Sequence, residues 1–264
     1  MSKSILSSFQ KDDVVIFVGA HPDDETLMSP ILAYAADICK KVVIVSSTKG
    51  ESGWNLFKED LSRTLAQVRQ AEFEKSVKIL NSVPVMYTYT NGLTRAHPKG
   101  LAVLDLKEPA FNRWKSKDLK KESSMDIYER WSKERGDPAV AVLNTLREFG
   151  VTIIITMDPV IGCTKHKEHT AISEATKRAV AEYRKTSKVT PAFYYIWCKG
   201  EGLPEVPSEA EHLTGSNLSG KGKDYVEIAS KAFECYESQF GGMASINPGK
   251  RPILDTLEWF VQRV

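Results

Sequence analysis

An α/β fold with a doubly wound, Rossmann-like and mainly parallel sheet, helices on both faces, is the architecture this sequence predicts. Three observations carry it. Short β-branched apolar runs recur along the chain, stretches of helical periodicity alternate with them, and the runs lack the apolar–polar alternation of a half-exposed strand. With 264 residues the chain suits one such unit, so a single domain over 1–264 is expected, carrying a lid-like insertion at about 91–137.

Residues 14–20 (VVIFVGA) form the first expected strand, buried on both faces, and His21-Pro22 must end it because proline cannot continue a central ladder. Asp23, Asp24 and Glu25 therefore fall on a loop at the carboxyl edge, where ligands of open α/β sheets bind. Ser29-Pro30 has the form of an N-cap with proline at the first helical position, opening a helix over 31–39. A second strand over 41–47 ends in the Gly-containing turn 49–53, followed by a long amphipathic helix over 58–81 and a strand over 83–89. Between 91 and 137 periodicity weakens, and Phe111, Trp114, Tyr128 and Trp131 are scattered through a polar stretch expected to be a lid or binding loop. Within it the basic run 113–135 interleaves Lys and Arg with acidic residues, the pattern of a solvated helical face. A helix over 139–149 ended by Gly150, a strand over 151–157, a loop from Asp158-Pro159 to His166, a helix over 170–184, a strand over 193–198 and a helix around 254–261 complete the expectation.

Composition narrows the function. No apolar run is long enough to cross a bilayer, and residues 1–13 lack the features of a secretory signal, which predicts a cytoplasmic protein. A formal net charge of +2 gives no strong attraction to nucleic acid or membrane. Cys39, Cys163, Cys198 and Cys235 are widely spaced without a CxxC pair, so core thiols are expected rather than disulfides or a thiolate metal site. His97 and His212 are expected at the surface.

Two clusters can do chemistry, and both follow expected buried strands. Ala20 to Glu25 (AHPDDE) packs one imidazole and three carboxylates beside pure hydrocarbon, and adjacent anions at a partly buried edge repel unless a cation neutralises them. In His166-Lys167-Glu168-His169 two histidines three apart can face one way at a helix start. A His, an Asp and a His suit zinc and leave a position for water or a substrate oxygen, as in hydrolytic sites.

AHPDDE after the first strand, with the HxxH loop after a late one, resembles the LmbE/PIG-L family of N-acetylglucosaminyl deacetylases. The GESG turn at 50–53, Arg69 and Glu72 in an RxxE of the long helix, and residues 235–239 (CYESQ) agree with it. The resemblance covers roughly the whole α/β core, the insertion excepted. It implies an LmbE-like metallohydrolase domain with His21, Asp24 and His169 as metal ligands, Asp23 as general base, and His166 facing the developing oxyanion. Arg69, Asn91 and Glu25 are the implied substrate contacts, Glu25 with a supporting role behind the metal as its alternative. The implied cofactor is Zn²⁺, with another divalent ion (iron, manganese or nickel) acceptable to the same ligands. The sequence departs from the family pattern in three places. Lys167-Glu168 replaces Pro-Asp, Asn91-Gly92 replaces Asp-Gly, and Thr164 stands where some members have tyrosine.

The expected activity is removal of an N-acetyl group from an N-acetylglucosamine-type sugar or glycoconjugate, with a small-molecule amino sugar as substrate and homo-oligomerisation left open. Trp54, beside the GESG turn, is placed to stack on a sugar ring or to pack on its own loop. An amidase acting on another acyl amide, such as a thiol conjugate, and a non-catalytic sugar-binding protein are the alternatives. A dinucleotide-binding protein is disfavoured, because the first βα turn lacks GxGxxG and its carboxylates would repel a pyrophosphate.

Overall fold

The computed structural model describes residues 4–53, 63–92, 122–199, 203–239 and 258–264. Trp54, His97 and residues 93–121 of the expected insertion lie outside them.

In chain order the elements are α1 (Ile5–Ser8), β1 (Val14–Gly19), a 3₁₀ turn (Asp24–Met28), α2 (Ser29–Ile38), β2 (Lys41–Thr48), α3 (Leu65–Ile79), β3 (Val83–Tyr89), α4 (Ser124–Arg135), α5 (Pro138–Phe149) and β4 (Ile153–Met157). One helical turn (Gly162–Lys165) leads into α6 (Lys167–Thr186), then β5 (Ala192–Trp197), β6 (Glu211–Leu213), α7 (Tyr225–Phe233) and β7 (Trp259–Arg263). The seven described strands form one sheet in the order β3-β2-β1-β4-β5-β7-β6. The first five are mutually parallel, whereas β7 runs antiparallel to both β5 and β6. This is the expected doubly wound sheet, extended at one edge.

Strand alternation sorts the core into two layers. Val15 and Phe17 of β1, with Val42 and Ile44 of β2, point to the face covered by α2, α3 and α7. Val14, Ile16 and Val18, with Val43 and Val45, point to the face covered by α4, α5 and α6. A strand with every residue buried needs apolar side chains on both faces, which is why β1 carries no alternation. Pro84 is tolerated in β3 because β3 is an edge strand. The strand order reverses between β1 and β4, and the cleft at their carboxyl ends is the place where such sheets bind ligands.

Several expectations change. The helix expected around 254–261 is the strand β7 over its described part, because Trp259 and Val261 are buried as a mid-sheet strand between β5 and β6. Ser29 is the first residue of α2 rather than its cap, since the 3₁₀ turn runs straight into the helix and leaves Met28 as N-cap. Helix α3 begins at Leu65, where Thr64 and Gln67 form a capping box. Within 113–135, α4 is not a solvated face. Ile127, Tyr128 and Trp131 are buried, α4 packs on α6, and Trp131 stacks on Tyr89 at a ring-centroid distance of 5.3 Å.

Cys163 and Cys198 form a disulfide, against the expectation of four core thiols, while Cys39 and Cys235 are free and buried. The two positions are 35 residues apart in sequence and are joined because β4 and β5 are neighbours. Cytosolic thiols are held reduced, so in the expected compartment this pair would stand as two thiols. Reducing the bond is expected to cost about 2–4 kcal/mol of stability. The readout is a fall in melting temperature that Cys198→Ser reproduces and dithiothreitol then fails to deepen.

Among the described residues no helix is long and apolar enough to cross a membrane.

Candidate active site

After β1 the chain folds back on itself around Asp24. Asp24 Oδ2 accepts the backbone N–H of Ala20 at 2.7 Å and of His21 at 2.8 Å. That leaves Oδ1 to face His21 and His169. The residue between them, Asp23, sits at φ 103°, a left-handed conformation that a non-glycine residue holds only under constraint from its surroundings.

His169 reaches the same point from the first turn of α6. Its approach needs Gly162, where an added Cβ would lie 2.4 Å from the Cβ of His169. The loop holding Gly162 is shaped by Asp158, just after β4. Asp158 accepts the N–H groups of Val160, Ile161 and Cys163 at 2.9, 2.8 and 2.5 Å. His169 Nδ1 bonds the carbonyl of Gly162 at 2.7 Å, which puts the ring proton on Nδ1 and the lone pair on Nε2. His21 is held the other way round. Its Nε2 meets Glu168 Oε2 at 2.5 Å, so Nδ1 is the atom turned inward.

Three potential donor atoms converge as a result. His21 Nδ1 lies 3.0 Å from His169 Nε2, His169 Nε2 3.1 Å from Asp24 Oδ1, and His21 Nδ1 3.7 Å from Asp24 Oδ1. Ligand atoms about 2 Å from a tetrahedral ion stand roughly 3.3 Å apart, so the donor set fits a divalent ion in both chemistry and spacing. His166 is the other imidazole here, and one nitrogen of each of the three rings can be chosen so that all lie within 4.8 Å of one another. His166 is held differently from the other two. It caps α6, its Nδ1 accepting the Glu168 N–H at 3.4 Å, which places its proton on Nε2. Burial and the neighbouring charges of His21 and His169 push its pKa down to about 3, so the ring is neutral near pH 7 and still offers an N–H.

Charges in the cluster compensate one another. Burial opposes ionisation of His21, but Asp24 and Glu168 outweigh it and raise the pKa to about 10. Burial likewise works against the Glu168 anion, and the hydrogen bond and charge of His21 overcome it, lowering the value to about 2. Asp23 is raised by burial, with Arg69 opposing.

In the metal-free protein the signs give a window. Glu168 has a folded pKa below its ordinary 4.5, so its contribution to stability is full above that pH and lost as pH falls toward about 2. His21 has a folded value above its ordinary 6.5, so its contribution is full below that pH and lost as pH rises through about 10. Chelator-stripped protein is therefore expected to gain most from this pair between about pH 4.5 and 6.5. Thermal unfolding across pH should show the acid-side slope flattened by Glu168→Gln.

The residues expected to touch substrate lie deeper than anticipated. Arg69 is 3% exposed and donates through Nη2 to Asp23 Oδ2 at 2.6 Å and to the Pro22 carbonyl. An added Cβ at Gly50 or Gly53 would lie 2.5 Å from Arg69 Nη1, so the GESG turn owes its glycines to the guanidinium beneath it. Asn91 has both ends of its amide engaged inside the protein. Its Oδ1 accepts the Ser52 N–H at 3.0 Å, and its Nδ2 donates to Glu168 Oε2 at 2.5 Å. Glu25 is 1% exposed and accepts from Ser76 and Tyr236 at 2.7 and 2.5 Å, its pKa raised to about 7 chiefly by burial. It is turned into the protein, its Oε1 shared by the two hydroxyls. Glu72 accepts the N–H and hydroxyl of Ser238, each at 2.7 Å, so the AHPDDE, RxxE and CYESQ segments meet at the rear of the site.

Sequence reasoning overlooked three groups. Asp158 had a signal, a carboxylate directly after a buried strand. The second oxygen of Glu51, buried without a hydrogen-bond partner among the described residues, is defined only by the packed turn. Arg130 had none, because Glu122 and Glu134 beside it mark only a local ion pair, and Thr90 and Glu168 reach it from distant parts of the chain.

Residues 16–180 match the family model described as PIG-L, GlcNAc-PI de-N-acetylase. The chain is 30% identical over 176 residues to 1D-myo-inositol 2-acetamido-2-deoxy-alpha-D-glucopyranoside deacetylase 1 of Frankia casuarinae, a match covering 64% of this chain and 51% of that protein. It thus spans about half the length of that curated relative. Among solved structures, N,N'-diacetylchitobiose deacetylase from Pyrococcus horikoshii superposes with a TM-score of 0.60 at 14% identity, covering 96% of this chain and 84% of that one. The zinc-inhibited form of teicoplanin deacetylase Orf2 gives 0.60 at 17% identity over 95% and 98%. The 4-carboxy-2-hydroxymuconate hydratase GalB from Pseudomonas putida gives 0.57 at 11% over 96% of both chains, so this fold also hosts other chemistry.

Proposed function

The chain belongs to the PIG-L (GlcNAc-PI de-N-acetylase) family, and from that premise we propose that it is a zinc-dependent hydrolase removing an N-acetyl group from an N-acetylglucosamine-type sugar or glycoconjugate. The observation that carries the reading is the convergence of His21 Nδ1, Asp24 Oδ1 and His169 Nε2 within 3.0–3.7 Å, with the second nitrogen of each histidine already bonded to an acceptor. These three would hold the ion. His166, its Nδ1 held by the Glu168 N–H at the start of α6, is assigned to the oxyanion, the role the family resemblance implies.

When bound, a divalent ion polarises the amide carbonyl and lowers the pKa of water toward about 7. Asp23 then acts as general base. Its Oδ2 is engaged by Arg69 at 2.6 Å, which leaves Oδ1 to take the proton of the attacking water and return it to the departing amine. His166 donates its Nε2–H to the oxygen that becomes negative as the carbonyl carbon turns tetrahedral.

A second reading, an amidase on another acyl amide such as a thiol conjugate, gains support from Asn91. The resemblance implies a substrate contact from Asn91, and here both ends of its amide are engaged by Ser52 and Glu168.

Metal analysis of the wild-type protein, with amine release measured on a panel of N-acetylglucosamine conjugates, tests the proposal. One ion per chain and metal-dependent acetate release are expected. A protein that stays empty after zinc supplementation overturns the metal reading, whereas zinc binding without cleavage of any sugar conjugate transfers the assignment to the other amide.

A further inference from the structure

Glu168 has more partners than any other acid in the site. Its Oε1 accepts the Gly92 N–H at 2.6 Å and lies 3.6 Å from Arg130 Nη2, while Oε2 meets Asn91 Nδ2 and His21 Nε2, each at 2.5 Å. The Arg130 side chain is only 11% exposed and is fixed on its other sides. Nε and Nη2 donate to the two oxygens of Glu122 at 3.1 and 3.0 Å, and Nη1 donates to the Thr90 carbonyl at 2.6 Å. A guanidinium whose fork is held by Glu122 thus sets one nitrogen at ion-pair distance behind a buried carboxylate, which in turn sets the proton of a histidine.

The two sequence departures at 91 and 168 belong together. A glutamate is one methylene longer than the aspartate it replaces, and its carboxylate meets residue 91, where an aspartate would present a second anion and asparagine presents an N–H.

We propose that Arg130 is a positioning residue for the metal centre. Acting through Glu168, it keeps the His21 ring with Nδ1 turned toward Asp24 and His169, and so ties α4 and the Thr90–Gly92 turn to metal affinity. The inference rests on the metal reading above but not on the identity of the amide. A carboxylate behind a ligating histidine fixes the ring and raises its basicity, and loss of such a partner typically weakens metal binding about 10–100-fold.

The test is zinc affinity, measured by competition with a chromophoric chelator, alongside the visible spectrum of the Co²⁺ form and the melting of the metal-free protein. Arg130→Gln is expected to weaken zinc binding about 10–100-fold and to perturb the cobalt bands, with Arg130→Lys in between. Glu168→Gln should weaken it at least as much, and the double variant should be no weaker than Glu168→Gln alone, because the arginine works through the glutamate. Folded Arg130→Gln with wild-type affinity and spectrum overturns the proposal, and so does an additive double variant. If Arg130→Gln does not fold, Arg130→Lys decides, since it keeps the charge and loses the fork; unchanged affinity there is equally fatal. Wild-type protein without zinc removes both this inference and the metal reading, whereas zinc binding without amide cleavage removes only the substrate assignment.

Discussion

Asp23→Asn is expected to lower kcat by roughly 10²–10⁴ with zinc content unchanged, the range associated with loss of a positioned general base. The substitution is chosen for what it leaves intact. Asparagine tolerates the left-handed backbone at φ 103° better than other replacements and keeps a side-chain oxygen for Arg69 Nη2. What it removes is the ability to take a proton from water. Because Asp23 is not among the three converging atoms, metal analysis should match wild type and KM should move little. A kcat within tenfold of wild type would show that the proton goes elsewhere, and Glu25 would not inherit the role, buried as it is behind Ser76 and Tyr236.

His169→Ala carries the larger effect, because it takes out one corner of the triangle. Asp24 Oδ1 loses its 3.1 Å neighbour, the Gly162 carbonyl loses its donor, and two ligands remain where zinc sites ordinarily use three. Zinc content should fall to background and amine release with it. An unpaired buried carbonyl costs about 1–3 kcal/mol, so the variant should also melt lower in the metal-free state. His169→Gln, which keeps more of the volume, separates the two consequences: stability partly returns and metal does not. Retention of one tight ion in His169→Ala would sink the three-ligand assignment.

Much of this site was legible because its elements are local. A buried strand that ends in His-Pro must deliver the next residues to the sheet edge, and acids crowded there call for a cation. The HxxH pattern is local in the same way, since the start of α6 alone sets the spacing of His166 and His169. Substrate contacts were harder to read. Whether Arg69, Asn91 and Glu25 face a ligand or the protein depends on which distant segment packs against them. In each case a partner from 39 to 211 positions away had already engaged the side chain. The C-terminal strand was missed for a related reason. Apolar spacing there fits either element, and the strand exists because β5 and β6 flank it.

The sequence by itself determined the alternation of the five parallel strands with their helices, the doubly wound sheet and the two chemical loops, because buried-strand composition, proline and glycine punctuation and short motif spacing act over a few residues. Only the tertiary structure decided which nitrogen of each histidine turns inward, that Cys163 meets Cys198, and that Arg130 stands behind Glu168. Those outcomes depend on distances between atoms brought together by the packing of separate elements. A hydrogen bond that fixes a tautomer, or a guanidinium that holds a buried anion, has no periodicity along the chain to announce it.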